Sequence, residues 1–124
     1  MTEHDEQAAV IQWAKEYEFI RPCLRWLHSS LNGIVIPAPI KTRAKIINYM
    51  KAEGMKPGVP DLFLPYAARG FHGLFVEMKR KTGGVVSADQ DDFLRYADEA
   101  GYHCVVAEGK EHAIEVLSWY LEIE

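Results

Sequence analysis

From residue 3 to residue 19 apolar side chains return at helical intervals, with Ala8, Val10, Ile11, Ala14 and Tyr17 marking the stripe. The spacing predicts an opening helix that stops before Pro22, whose ring is excluded from a helix interior. Residues 23–31 predict a second, short helix closed by Asn32-Gly33, a pair suited to positive φ, and the β-branched residues at 34–36 predict a brief strand. Pro37 and Pro39 make a loop. Thr42 is then placed to cap a basic helix that runs to about Glu53, with Gly54 as its stop.

Farther along, the pattern changes period. Lys56-Pro57-Gly58-Val59-Pro60 is a rigid turn into the short apolar strand Asp61-Leu62-Phe63-Leu64, closed by Pro65. Residues 73–79 have the β-branched and aromatic content of a buried strand and pair with the preceding one as a hairpin. Alternation puts Phe75, Glu77 and Lys79 on one face and Leu74, Val76 and Met78 on the other, so the two charged groups share a side. After Gly83-Gly84, Ser87 is an N-cap for a helix carrying Phe93, Leu94, Tyr96, Ala97 and Ala100 and ending at Gly101. Residues 102–107 predict another strand. Residues 110–123 predict a last helix with Ala113, Ile114, Val116, Leu117, Tyr120 and Leu121 on its core face.

The 124 residues, 48% of them hydrophobic, suit a single domain over residues 1–124 with a core that needs no disulfide or metal staple. Cys23 and Cys104 lie far from any ligand spacing and read as reduced thiols. With an acidic rather than basic N-terminal flank and no apolar run of membrane-spanning length, this leads to the expectation of a soluble, cytoplasmic protein. The overall charge of −4 speaks against a nucleic-acid partner until it is divided by position. Residues 21–58 carry Arg21, Arg25, Lys41, Arg43, Lys45, Lys51 and Lys56 against Glu53 alone, a local net charge of +6. A basic patch of this kind attracts phosphate whatever the total, because screening makes charge within about 8–10 Å dominate.

The chemistry-bearing pattern is Asp61 at the start of one strand, with Glu77 and Lys79 on one face of the next. Two carboxylates can converge on one hard cation. Magnesium prefers oxygen ligands and keeps several waters, so Asp61, Glu77, the backbone carbonyl of Met78 and solvent could fill an octahedron around Mg2+ or Mn2+. A metal there would polarise a phosphoryl oxygen, while Lys79 positions water and offsets developing negative charge. Lys41, Arg43, Lys45 and Lys81 are candidate phosphate grips, which would give salt-sensitive affinity with little sequence readout. His28, His72, His103 and His112 lack metal-ligand spacing, and Trp119 and Tyr120 read as packing or a dimer contact.

Taken together, these residues resemble the VRR-NUC nucleases of the PD-(D/E)XK superfamily, particularly the small standalone proteins of phages and bacteria. Gly58-Val59-Pro60-Asp61 is similar to that family's GxPD signature, Glu77-Met78-Lys79 to its ExK, and Ser87-Ala88-Asp89-Gln90 to the SxxQ that opens the following helix. Glu6-Gln7 and Asn32-Gly33 extend the likeness over nearly the whole chain. The resemblance implies an α/β fold of restriction-endonuclease type, a mixed sheet of four or five strands flanked by helices, with the site where the hairpin meets the first helix. It implies that Gln90 orients the attacking water or the phosphate, and that an acid of the first helix helps hold metal. Glu3 and Glu6, three apart on one helical face, both qualify, and Glu6, directly before Gln7, is preferred. DNA is the implied substrate, with a homodimer acting on branched forms such as four-way (Holliday) junctions. Two other readings keep the fold without turnover: a non-catalytic DNA-binding module, and a structural subunit of a nucleic-acid-processing complex.

Overall fold

The computed structural model describes residues 1–32 and 34–124. Helix α1 (Glu3–Tyr17) opens on a capping box in which Thr2 and Asp5 exchange side-chain and backbone hydrogen bonds. A single 3-10 turn follows at Pro22–Trp26, then β1 (His28–Ser29), α2 (Ile40–Ala52), β2 (Leu62–Leu64), β3 (Leu74–Lys79), α3 (Ala88–Glu99), β4 (His103–Glu108) and α4 (Lys110–Leu121). The four strands form one sheet in the order β1-β2-β3-β4, antiparallel except for the parallel β3–β4 pair. This is the mixed, helix-flanked sheet that the sequence predicts.

The alternation read along residues 73–79 divides the sheet into two unlike faces. Leu74, Val76 and Met78 join Leu62 and Leu64 in an aliphatic core closed by Val10 and Ala14 of α1 and by Ala113, Leu117 and Tyr120 of α4. On the opposite face Phe75 stacks on Phe63 at 4.4 Å and meets Phe93 of α3 edge-on at 5.1 Å between ring centroids. Glu77 and Lys79 continue the Phe75 face, so the charged end of β3 lies on the side that α3 covers.

The structure departs from the sequence reading between residues 22 and 42. The expected helix over 23–31 shortens to the 3-10 turn, and the strand expected at 34–36 is not one; the edge strand is His28–Ser29, paired with Phe63 and Leu62. Backbone partners decide here. Two residues alone show little strand propensity, yet they lie against the free edge of β2, whereas Ile34 and Val35 are solvent-exposed with no strand beside them. Gly33 of the expected Asn32-Gly33 stop lies outside the described residues. Thr42 is not the cap of α2: Pro39 holds that position without a side-chain bond, and Thr42 lies in the first turn. No helix among the described residues is long and apolar enough to cross a membrane.

Candidate active site

The register of the hairpin builds the site. Phe63 faces Phe75, and two residues farther along the same antiparallel pairing Asp61 comes opposite Glu77. The next pair would be Pro60 with Met78. Proline has no N–H to give to the Met78 carbonyl, and the Met78 N–H is taken by the Asp61 side chain, whose Oδ2 accepts it at 2.8 Å. Because N–H and C=O of one strand residue point to the same neighbour, the Met78 carbonyl opens toward Asp61 and outside the ladder. The proline-aspartate order therefore ends the strand pairing where oxygen ligands are needed.

Glu77 is 2% exposed and is held from two directions. Gln90 Nε2 donates to its Oε2 at 2.9 Å, and Lys79 Nζ lies 3.5 Å from the same oxygen. Gln90 is itself fixed by the capping box of α3. Its Oε1 accepts from Ser87 N at 2.9 Å while its own N–H donates to Ser87 Oγ at 3.2 Å, which leaves the amide nitrogen for the carboxylate. The SxxQ stretch thus caps the helix and delivers a donor to the site with one side chain.

Asp61 and Glu77 lie within hydrogen-bonding reach of each other. Burial, followed by the negative charge of Asp61, pushes Glu77 up to about 7, against the pull of Lys79. Burial also raises Asp61, offset by the Met78 N–H. A buried carboxyl beside a half-buried one is a donor set that a hard divalent cation fits, since it offsets both negative charges and wants oxygen alone. Among the described residues no third His, Cys, Asp or Glu completes a cluster around an ion. The Met78 carbonyl and water are left to fill the remaining positions.

Two glycines and an asparagine hold this geometry. Gly58 has φ +90°, and a Cβ there would sit 2.3 Å from the Asp89 carbonyl, so the turn before Asp61 packs directly on the first turn of α3. Gly84 lies against the Lys79 stem, where a Cβ would approach to 2.9 Å. Asn32 Nδ2 donates to the carbonyls of Lys56 and Val59, at 2.8 and 3.0 Å, and so ties the turn to the chain after β1. Sequence reasoning noticed Asn32 as half of a turn and as part of the family likeness, without a role for its side chain.

The two acids of α1 separate. Glu6 is 4% exposed and its Oε2 accepts the Lys110 N–H at the start of α4, where Gly109 supplies no side-chain cap. Glu6, the preferred metal-side acid of the sequence reading, is thus engaged in the interior. Glu3 is exposed, lines the cavity of about 370 Å³ that contains Asp61, Glu77, Lys79 and Gln90, and its charge opposes ionisation of Asp61. A larger cleft of about 910 Å³ along α1 also reaches Glu3 and Asp61.

The basic candidates separate too. Arg43 lies on the row of α2 that continues through Ile47 and Lys51, and both of these line the site cavity. Lys41 and Lys45 lie roughly 160° around the helix from Arg43 and roughly 120–160° from Ile47, off that row, and neither lines the site cavity. Lys81 pairs with Glu111 at 3.3 Å on the surface. Lys51 was read from the sequence only as part of the positive segment.

A VRR-NUC domain model matches residues 1–111. A solved structure described as a VRR_NUC domain protein aligns over 100% of this chain and 91% of its own, with 27% identity and a TM-score of 0.78. No curated protein matches the chain. With the family's model covering most of the sequence and the paired carboxylates, lysine and glutamine gathered at one end of the sheet, the chain belongs to the VRR-NUC domain family, a nuclease-type branch of the PD-(D/E)XK superfamily.

Proposed function

We propose that this protein is a Mg2+- or Mn2+-dependent endonuclease that hydrolyses DNA phosphodiesters at Asp61, Glu77 and Lys79. The observation that carries the reading is the convergence of Asp61 and Glu77, with Lys79 and Gln90 both on Glu77 Oε2. Asp61, Glu77 and the Met78 carbonyl would hold the ion, and Glu3 would act from the cavity edge through solvent. When bound, the ion supplies Lewis-acid polarisation of the phosphoryl oxygen and a more acidic water. Lys79, its stem packed under Gly84, places a fixed positive charge beside the scissile phosphate and offsets the charge that develops there. Gln90 restrains Glu77, and with the carboxylate engaged by a cation its amide is free to orient water or phosphate.

Branched DNA as the preferred form and a homodimer as the working unit belong to the same proposal, supported by the family resemblance and by the fit of a twofold assembly to a symmetric junction. The test compares four-way junction, flap, splayed arm, linear duplex and single strand, with Mg2+, with Mn2+ and with EDTA. Cleavage of at least one form only with metal, fastest on a branched one, is expected. No cleavage of any form, or cleavage undiminished by EDTA, would contradict the reading and leave the binding-module and structural-subunit alternatives.

A further inference from the structure

We infer that Lys51, with Arg43 on the same row of α2, grips the backbone of the substrate strand beside the scissile phosphate, as a pair of positioning residues; the inference rests on the nuclease reading above. Positions 43, 47 and 51 are four apart, so they drift by only about 40° per step around the helix and form one narrow stripe. Ile47 and Lys51 line the same cavity as Asp61, Glu77, Lys79 and Gln90, which fixes the direction of that stripe. Arg43 and Ile47 are half-buried along it, whereas Lys41 and Lys45 are exposed and lie off the row.

Charge supports the assignment. The cavity is lined by Glu3, Asp61, Glu77 and Asp89, and Lys51 and Lys79 are its cationic side chains among the described residues. Lys79 is engaged with Glu77, while neither Lys51 nor Arg43 has an ion pair or side-chain hydrogen bond among the described residues. A polyanion entering this acidic cavity meets its uncommitted positive charge on α2. The eight-residue step from Arg43 to Lys51 spans about 12 Å of helix, enough for the two side chains to meet different phosphates. No residue of α2 is fully buried, and Lys51 is exposed, so its loss removes charge rather than core packing.

The test is the salt dependence of DNA binding in EDTA, where turnover is absent, on a fluorescent duplex and a four-way junction. Each lost phosphate contact lowers the slope of log K against log salt by about 0.9 on duplex. Lys51→Ala and Arg43→Ala should each do so, Lys51→Arg should restore the wild-type slope, and a Lys41→Ala/Lys45→Ala double variant should leave it unchanged. Unaltered slopes in Lys51→Ala and Arg43→Ala, an equal loss in the Lys41/Lys45 variant, or no measurable DNA binding by the wild type would overturn the inference. Metal-dependent cleavage by the wild type, measured in parallel, tells failure of this pair from failure of the nuclease reading.

Discussion

Helices α1 and α2 border the same cavity and are of similar length, 15 and 13 residues, yet α1 buries Glu6, Val10 and Ala14 while α2 buries nothing. The first is part of the scaffold: Val10 and Ala14 pack on the sheet and α4, Glu6 caps α4, and Glu3 reaches the site as a consequence. The second is tied to the molecule near its C-terminal end, where Asn32 clasps the carbonyls of Lys56 and Val59. A helix relieved of core duty can carry basic residues at no cost in packing. The site is thus held rigid from one side and exposed to substrate from the other.

Stability measurements should expose that division most strongly. Leu117→Ala, at a fully buried α4 position in the core shared with α1, should cost about 2–5 kcal/mol in urea unfolding. Ile46→Ala on α2 should cost less than about 0.5 kcal/mol. Comparable losses at the two sites would show α2 to be structural after all.

The two glutamates of α1 sharpen the contrast within one helix. Removing the buried carboxylate in Glu6→Ala leaves the Lys110 N–H without its partner and should destabilise the fold by about 1–3 kcal/mol. Glu3→Ala should leave the unfolding midpoint in place and instead weaken Mg2+ binding, read by calorimetry. The opposite pattern would return the metal-side role to Glu6.

A smaller effect concerns pH. The folded pKa of Glu77 stands at about 7 against an ordinary 4.5, so in the metal-free protein the native state holds this proton more tightly than the unfolded chain. That contribution to stability is complete below about pH 4.5 and is lost as pH rises through 7, opposite to an ion-paired carboxylate. The difference between wild type and Glu77→Gln should follow this trend, and Mg2+, which displaces the proton, should bind more tightly as pH rises across the same range. A flat difference would mean that burial and the charge of Asp61 do not raise Glu77.

Much of this arrangement is legible in the amino-acid order. The period-two alternation along β3 places Glu77 and Lys79 together, and the spacing of Ser87 and Gln90 gives both the cap of α3 and the donor to Glu77. Local pattern is sufficient where an element supplies its own periodicity or cap. It fails at His28–Ser29, which is a strand because β2 offers an open edge, and at Thr42, where the start of α2 is set by Pro39. Glu3 and Glu6 are equivalent by spacing, and only the distant start of α4, more than a hundred residues along the chain, tells them apart. The same holds for Lys51, whose meaning depends on which side of α2 meets the cavity.

The most direct measurement is metal-dependent cleavage by purified wild type beside Asp61→Asn and Lys79→Ala, each first shown by circular dichroism and urea unfolding to keep the native fold. The account predicts Mg2+-dependent strand scission by the wild type, its disappearance in Asp61→Asn, and a loss of about 10²–10³-fold in Lys79→Ala. Folded variants that cut DNA at the wild-type rate would contradict it.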